Sequence, residues 1–155
     1  MQKCPIFANV SKITIKKKRD RLQRCVDRIR TTYENSPNTI ETDFDQQDVI
    51  ILNLQRACEQ AIDIAQITAR KAKLRLGDTS AEVFEVLAEA GIISQDLNGS
   101  IKGMIGFRNI AVHEYEKLDF DIVRAVITKH LTSLIQLADI CSLYISVNIT
   151  DEEGD

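Results

Sequence analysis

The sequence predicts an all-α fold, an antiparallel bundle of about five helices. Three observations carry the prediction. Apolar residues recur at helical spacing along most of the chain. Helix breakers are rare, with 6 Gly and 2 Pro in 155 residues. The connections between apolar stripes are short, which favours antiparallel neighbours. A chain of this length fits one domain with a real core, and 44% hydrophobic residues beside 28% charged ones exclude wholesale disorder.

Residues 1–16 read as an N-terminal arm, short and extended or frayed, with Val10, Ile13 and Ile15 alternating weakly after Pro5. The helical domain spans 17–147. Its first helix runs from about Lys17 to Tyr33 on a stripe of Leu22, Cys25, Val26, Ile29 and Tyr33. Asn35 to Thr39 form a turn. Asp43 with Gln46 reads as a capping box for a long second helix reaching about Arg75 and stopped by Gly77. Its stripe is Ile50, Leu54, Ala57, Cys58, Ala61, Ile64, Ala65 and Thr68. A second capping box, Thr79 to Glu82, opens a short helix packing Val83, Phe84, Val86 and Leu87 and ending at Gly91. Ser94 or Asn98 starts a fourth helix, and Asp119 or Asp121 caps a fifth that reaches about Ile145 on a stripe of Val123, Val126, Ile127, Leu131, Leu134, Leu137, Ala138 and Cys141. Residues 148–155 form an acidic disordered tail.

Net charge is −3 and the calculated pI about 5.5, which argues weakly against nucleic acid. The distribution says more. Lys16, Lys17, Lys18, Arg19, Arg21, Arg24, Arg28 and Arg30 crowd the first helix. Arg21, Arg24 and Arg28 share one face and are candidates for RNA contact; the competing reading is a solvated helix face. Cys4, Cys25, Cys58 and Cys141 lie far apart, without CxxC, and read as small buried hydrophobes. With two histidines and no paired Cys/His spacing, neither a metal site nor a cofactor is expected. No apolar run approaches membrane-spanning length and no secretory pattern opens the chain, so a reduced cytoplasmic protein is expected.

One stretch stands apart from the scaffold. Between Gly106 and Tyr115 lie Arg108, Asn109, His113 and Tyr115, packed into an otherwise apolar-periodic segment. Each helical residue turns ~100°. Asn109 and His113, at i and i+4, share one strip, and Arg108 and Tyr115, at i and i+7, share another. Arg108 and His113 are about 140° apart on a straight helix. A break near Val112–Glu114, side-chain reach or a second copy of the chain would bring them together. Gly99, Gly103 and Gly106 offer a small face that admits another backbone. A histidine that exchanges protons near neutral pH and an arginine that grips phosphate suit RNA cleavage by attack of the ribose 2′-OH. The bland reading is a helix-end histidine and a salt-bridged arginine. Gly99 to Gly106 lacks the order of a phosphate loop. Glu59 with Asp63 reads as solvated or salt-bridged acid, and His130 as structural.

Arg108-Asn109-x3-His113-x-Tyr115 resembles the Arg-x4-His-x-Tyr motif of HepT-like proteins, the toxins of HepT–MntA toxin–antitoxin pairs in the HEPN superfamily. The flanking segments around Arg24–Ile29, Leu54–Ala65 and Phe84–Ile93 are similar too, so the likeness covers about residues 17–146. The resemblance implies a HEPN fold, usually homodimeric, and a metal-independent endoribonuclease acting as the toxin of a type VII pair on tRNA or mRNA. It implies Arg108 and His113 as the catalytic pair and Asn109 as polar helper. It implies Tyr115 as the tyrosine that an MntA-like nucleotidyltransferase antitoxin neutralises by AMPylation. The alternative is a non-catalytic helical adaptor that binds a nucleotidyltransferase or nucleotide.

Overall fold

The computed structural model describes residues 5–113 and 118–149, with the side chains of residues 5–10 and of Val112 left aside. Regular structure among the described residues is helical throughout. Five helices follow one another: α1 (Pro5–Asn35), α2 (Phe44–Lys71), α3 (Glu82–Glu89), α4 (Gln95–His113) and α5 (Phe120–Asn148). The helix count and the all-α class agree with the sequence prediction.

The predicted N-terminal arm is corrected for residues 5–16. They are helical, and α1 opens at Pro5, where a fixed φ and a missing N–H cost nothing. The extra ~3 turns carry Ile15 into the core beside Leu22, Val26 and Ile29. Residues 1–4 and 150–155, and with them most of the predicted tail, lie outside the described residues. Lys18 binds Asp63 at 3.0 Å and Arg19 binds Asp139, tying α1 to α2 and α5. The Asp139 hydrogen bond raises the Arg19 pKa.

Asp43 caps α2 by accepting the Gln46 N–H at 3.0 Å. The reciprocal half of that box is absent, because the Gln46 amide turns away to the Thr32 and Ser36 carbonyls and closes the α1–α2 turn. All eight predicted stripe residues of α2 are buried. The helix ends at Lys71, short of the expected Arg75. Lys73 takes a left-handed φ of 61°, and the Leu74 and Lys73 N–H groups bond back to the Ala69 and Arg70 carbonyls, a Schellman arrangement usually built on glycine. Arg75 instead reaches Glu89 at 3.2 Å, joining the connection to α3. The second predicted capping box does not form: Glu82 accepts from the Asp78 N–H instead of that of Thr79, and Thr79 contributes its carbonyl, not its hydroxyl. Gly91, at φ +77°, ends α3 as predicted. Ser94 caps α4 and Asp119 caps α5.

The end-to-end contacts fix the topology. Gln46 beside Thr32 and Asp63 beside Lys18 make α1 and α2 antiparallel. Arg124 beside Glu41 and Asp139 beside Arg19 set α5 antiparallel to α1. Ser100 meets Ser133 at 2.6 Å, holding α4 against α5. The second predicted long stripe, Val123 to Cys141, is buried throughout. Within α5, residues Val126–His130 make a π turn, closed by the Leu131 N–H on the Val126 carbonyl. By length and composition α5 could cross a membrane, which corrects the expectation that no apolar run approaches that length. Its apolar stripe is instead the core of the bundle.

Candidate active site at the end of α4

Helix α4 is unbroken from Gln95 to His113. One face, with Leu97, Ile101, Met104, Ile105 and Ala111, packs inward. The other carries Gly99, Lys102, Gly103, Gly106, Asn109, Ile110 and His113, all exposed. The motif residues divide between the two. Asn109 and His113 share the exposed strip. Arg108 points to the inner face, half-buried, where its charge reaches the Cys58 thiol of α2. A helical break before His113 is excluded, and the described residues of one chain do not join Arg108 to His113. Tyr115 lies outside the described residues.

Arg108 has an unusual environment. Its Nε is buried and meets no hydrogen-bond acceptor, and among the described residues it forms no ion pair. Among the described residues, then, nothing salt-bridges this arginine. A buried donor left unmet costs roughly 1–3 kcal/mol, a cost that an ordered water, a ligand or a partner group would remove. Burial pushes the Cys58 thiol up to about 12, against the lowering effect of Arg108, and the Cys141 thiol to about 11. Both are inert core groups at neutral pH.

The Gly99 to Gly106 run is helix, not loop, and a Cβ at Gly99, Gly103 or Gly106 would meet nothing within 4 Å. Beside it, a cleft of about 290 Å³ is lined by Gly99, Gly103, Met104, Phe107, Ile122 and Val126. Ile110 and Ile122 flank the face at 45% and 50% exposure. His130, read as structural from the sequence, is exposed on the π turn and lines the same cleft. The acidic pair resolves as expected for surface acid: Asp63 is held by Lys18, and Glu59 accepts from Gln55.

The basic run of α1 is sorted by its partners. Lys18 and Arg19 are spent on ion pairs. Arg21, Arg24 and Arg28 are exposed and form none among the described residues, and they line an open groove of about 680 Å³ between α1 and α2. The opposite wall holds Asn53, Arg56 and Gln60, which sequence reasoning missed. Their i, i+3, i+7 spacing along one edge of the apolar stripe was the available signal. Cys25 sits between the walls; burial raises its pKa, while Arg56 and Arg24 lower it.

Comparison with known proteins agrees with this architecture. A family model described as Ribonuclease HepT-like matches residues 22–140. The mRNA nuclease HepT of Shewanella oneidensis is 41% identical over 119 residues, covering 77% of this chain and 89% of the relative. The tRNA nuclease HepT of Aphanizomenon flos-aquae is 28% identical over 113 residues, 73% and 77% of the two chains. Among solved structures, a tri-AMPylated Shewanella oneidensis HEPN toxin in complex with MNT antitoxin superposes with a TM-score of 0.77 at 40% identity, covering 82% of this chain and 95% of that one. A toxin–antitoxin structure with AMP-PNP gives 0.79 at 39% identity, covering 83% and 97%. The fold is that of a HEPN ribonuclease toxin. The chain belongs to the Ribonuclease HepT-like family.

Proposed function

We propose that the chain is a cytoplasmic endoribonuclease, the toxin of a toxin–antitoxin pair, that cleaves RNA without a metal through Arg108 and His113. The observation that carries this reading is a half-buried arginine with an unmet donor, five residues before an exposed histidine at the end of α4, in a family of ribonucleases. In the proposed step the ribose 2′-oxygen attacks the adjacent phosphorus. Its proton passes to His113, a bond forms from the 2′-oxygen to phosphorus, and the bond from phosphorus to the 5′-oxygen breaks. That oxygen leaves with a proton returned by imidazolium. Arg108 offsets the charge that grows on the phosphoryl oxygens, and Asn109 orients His113 or the substrate.

The division of the motif between two faces of α4 supports a homodimer. A second copy docked on the Gly99–Gly103–Gly106 face, with Ile110 and Ile122 buried against it, brings two exposed His113 strips into one cleft. The relatives solved with an MNT antitoxin support a nucleotidyltransferase partner. Tyr115 is the residue proposed for AMPylation. Seven residues on from Arg108 in the sequence, an AMP ester there adds bulk and negative charge to the motif that is to bind phosphate.

The test is RNA cleavage in EDTA by the purified chain, with His113→Ala and Arg108→Ala both losing it. Cleavage retained in both variants, or partner binding with no cleavage by the unmodified chain, overturns the reading. For Tyr115, intact mass is read after incubation with antitoxin and ATP. A mass gain that survives Tyr115→Phe places the modification elsewhere.

A further inference from the structure

We propose that the arginine-lined groove between α1 and α2 is an RNA-anchoring site separate from the catalytic motif. It binds the phosphodiester backbone of a single-stranded segment away from the bond that is cut. The choice of RNA rests on the ribonuclease reading above; the site itself rests on the groove.

Four guanidinium groups, from Arg21, Arg24, Arg28 and Arg56, line one open groove of about 680 Å³. None forms an ion pair among the described residues, although the chain carries a net charge of −3. The acid in the groove is Asp27, which already accepts a hydrogen bond from Gln23 at 2.9 Å. Lys18 and Arg19, one turn earlier on α1, show what this chain does with structural cations: it pairs them. Four arginines against one carboxylate leave the groove with a net positive surface, which suits a polyanion.

The shape selects among polyanions. Arg21 to Arg28 spans ~10 Å of helix axis at ~1.5 Å per residue, and the donors come from the middles of two helices. A compact triphosphate is usually cradled by backbone N–H groups at a helix start, and the groove has none. An extended chain with phosphates along its length fits better. Gln60, half-buried, lines the same groove. Its amide can both donate and accept, which suits the 2′-hydroxyls and base edges of RNA, whereas the carboxylates of an acidic protein take donors only.

The location makes the site separate. On α2, Arg56 and Gln60 each lie ~160° around the helix from Cys58, the residue that Arg108 approaches. The groove and the catalytic arginine thus flank opposite sides of α2. RNA held in the groove is tethered to the enzyme without touching the catalytic groups, so the site acts on affinity.

The experiment uses full-length His113→Ala protein and a fluorescent single-stranded RNA of about 20 nucleotides, read by anisotropy across a salt series. Adding Arg24→Gln, Arg28→Gln and Arg56→Gln together is expected to weaken binding about tenfold or more. It should also lower the slope of log K against log salt by about 2, at ~0.7 for each phosphate no longer neutralised. A control triple, Arg70→Gln, Lys71→Gln and Lys129→Gln, removes the same charge elsewhere and is expected to change binding less than threefold. Circular dichroism confirms that both triples fold. Unchanged affinity in the groove variant, equal losses in the two triples, or displacement of RNA by stoichiometric ATP each overturns the proposal. These readouts do not depend on cleavage. If His113→Ala still cuts RNA, the catalytic reading fails while the groove is still decided by binding.

Discussion

Arg108→Ala separates catalysis from stability, because the native arginine is poorly satisfied. Its Nε is buried without an acceptor, and it holds no ion pair among the described residues. Removing it relieves roughly 1–3 kcal/mol of unmet desolvation. The same change strips about three methylenes, half-buried beside α2, at ~0.8 kcal/mol each when fully buried. The two effects oppose each other, so net stability should change by no more than about 1 kcal/mol, a midpoint shift of ~2–4 °C for a domain of this size. Cleavage should fall far more. Losing one preformed donor to a charged transition state costs about 10²–10³ in rate, ~3–4 kcal/mol. Single-turnover cleavage of a labelled RNA in EDTA, beside a thermal melt of the same preparation, measures both. Arg108→Lys, which keeps charge but loses the fork, should fall between. A rate within threefold of the parent, or a midpoint lowered by more than about 8 °C, refutes the reasoning.

Four further outcomes follow from the geometry. Gly103→Leu should convert a dimer to monomer in light scattering and reduce cleavage while leaving the melt nearly unchanged, since a side chain there meets open space within one chain; a variant that stays dimeric refutes the proposed face. Lys73→Gly should stabilise the fold by about 0.5–1 kcal/mol by removing left-handed strain at the end of α2; a lower denaturation midpoint counts against it. Iodoacetamide at pH 8 should spare Cys58 and Cys141 until the protein unfolds, because thiols at about 12 and about 11 hold ~0.1% thiolate or less; mass mapping of the native protein reads the result. Both thiols are raised above the ordinary value of 9.0, so their neutral form contributes stability fully below pH ~9 and loses it as pH rises through their folded values. Denaturation midpoints should therefore fall between about pH 9 and 12, less so in Cys58→Ala; a flat profile refutes this.

The sequence reading succeeded where one helix face decides burial. The stripes of α2 and α5 were legible because each buried residue follows the last by three or four positions, and the π turn still lets Val126 and Leu131 both face inward. It failed at ends. The charged run Lys16–Arg19 masked the helical continuity of α1, although Pro5 is a good first residue. Lys73 ended α2 early in a conformation rarely adopted by lysine, so Gly77 drew the boundary instead. At the motif, angular arithmetic alone separated Arg108 from His113, but burial of the Arg108 Nε depends on where α2 packs and is a tertiary fact. The groove is similar: its α1 wall was visible as a basic stripe, while Arg56 and Gln60 join it only once the helices pair.

The π turn in α5 also bears on how this chain tolerates change in length. A π turn is an α-helix carrying one residue more than its hydrogen-bond ladder needs. Deleting a residue from an ordinary helix swings everything beyond it by ~100° and carries a core stripe into water. Here the surplus is already accommodated between Val126 and Leu131. Losing exposed Thr128 or Lys129 would let that turn relax to a regular helix, with Ile127 and Leu131 still facing inward. Elsewhere in α5 the same deletion would be ruinous, so natural relatives one residue shorter in this helix should have their gap at this turn.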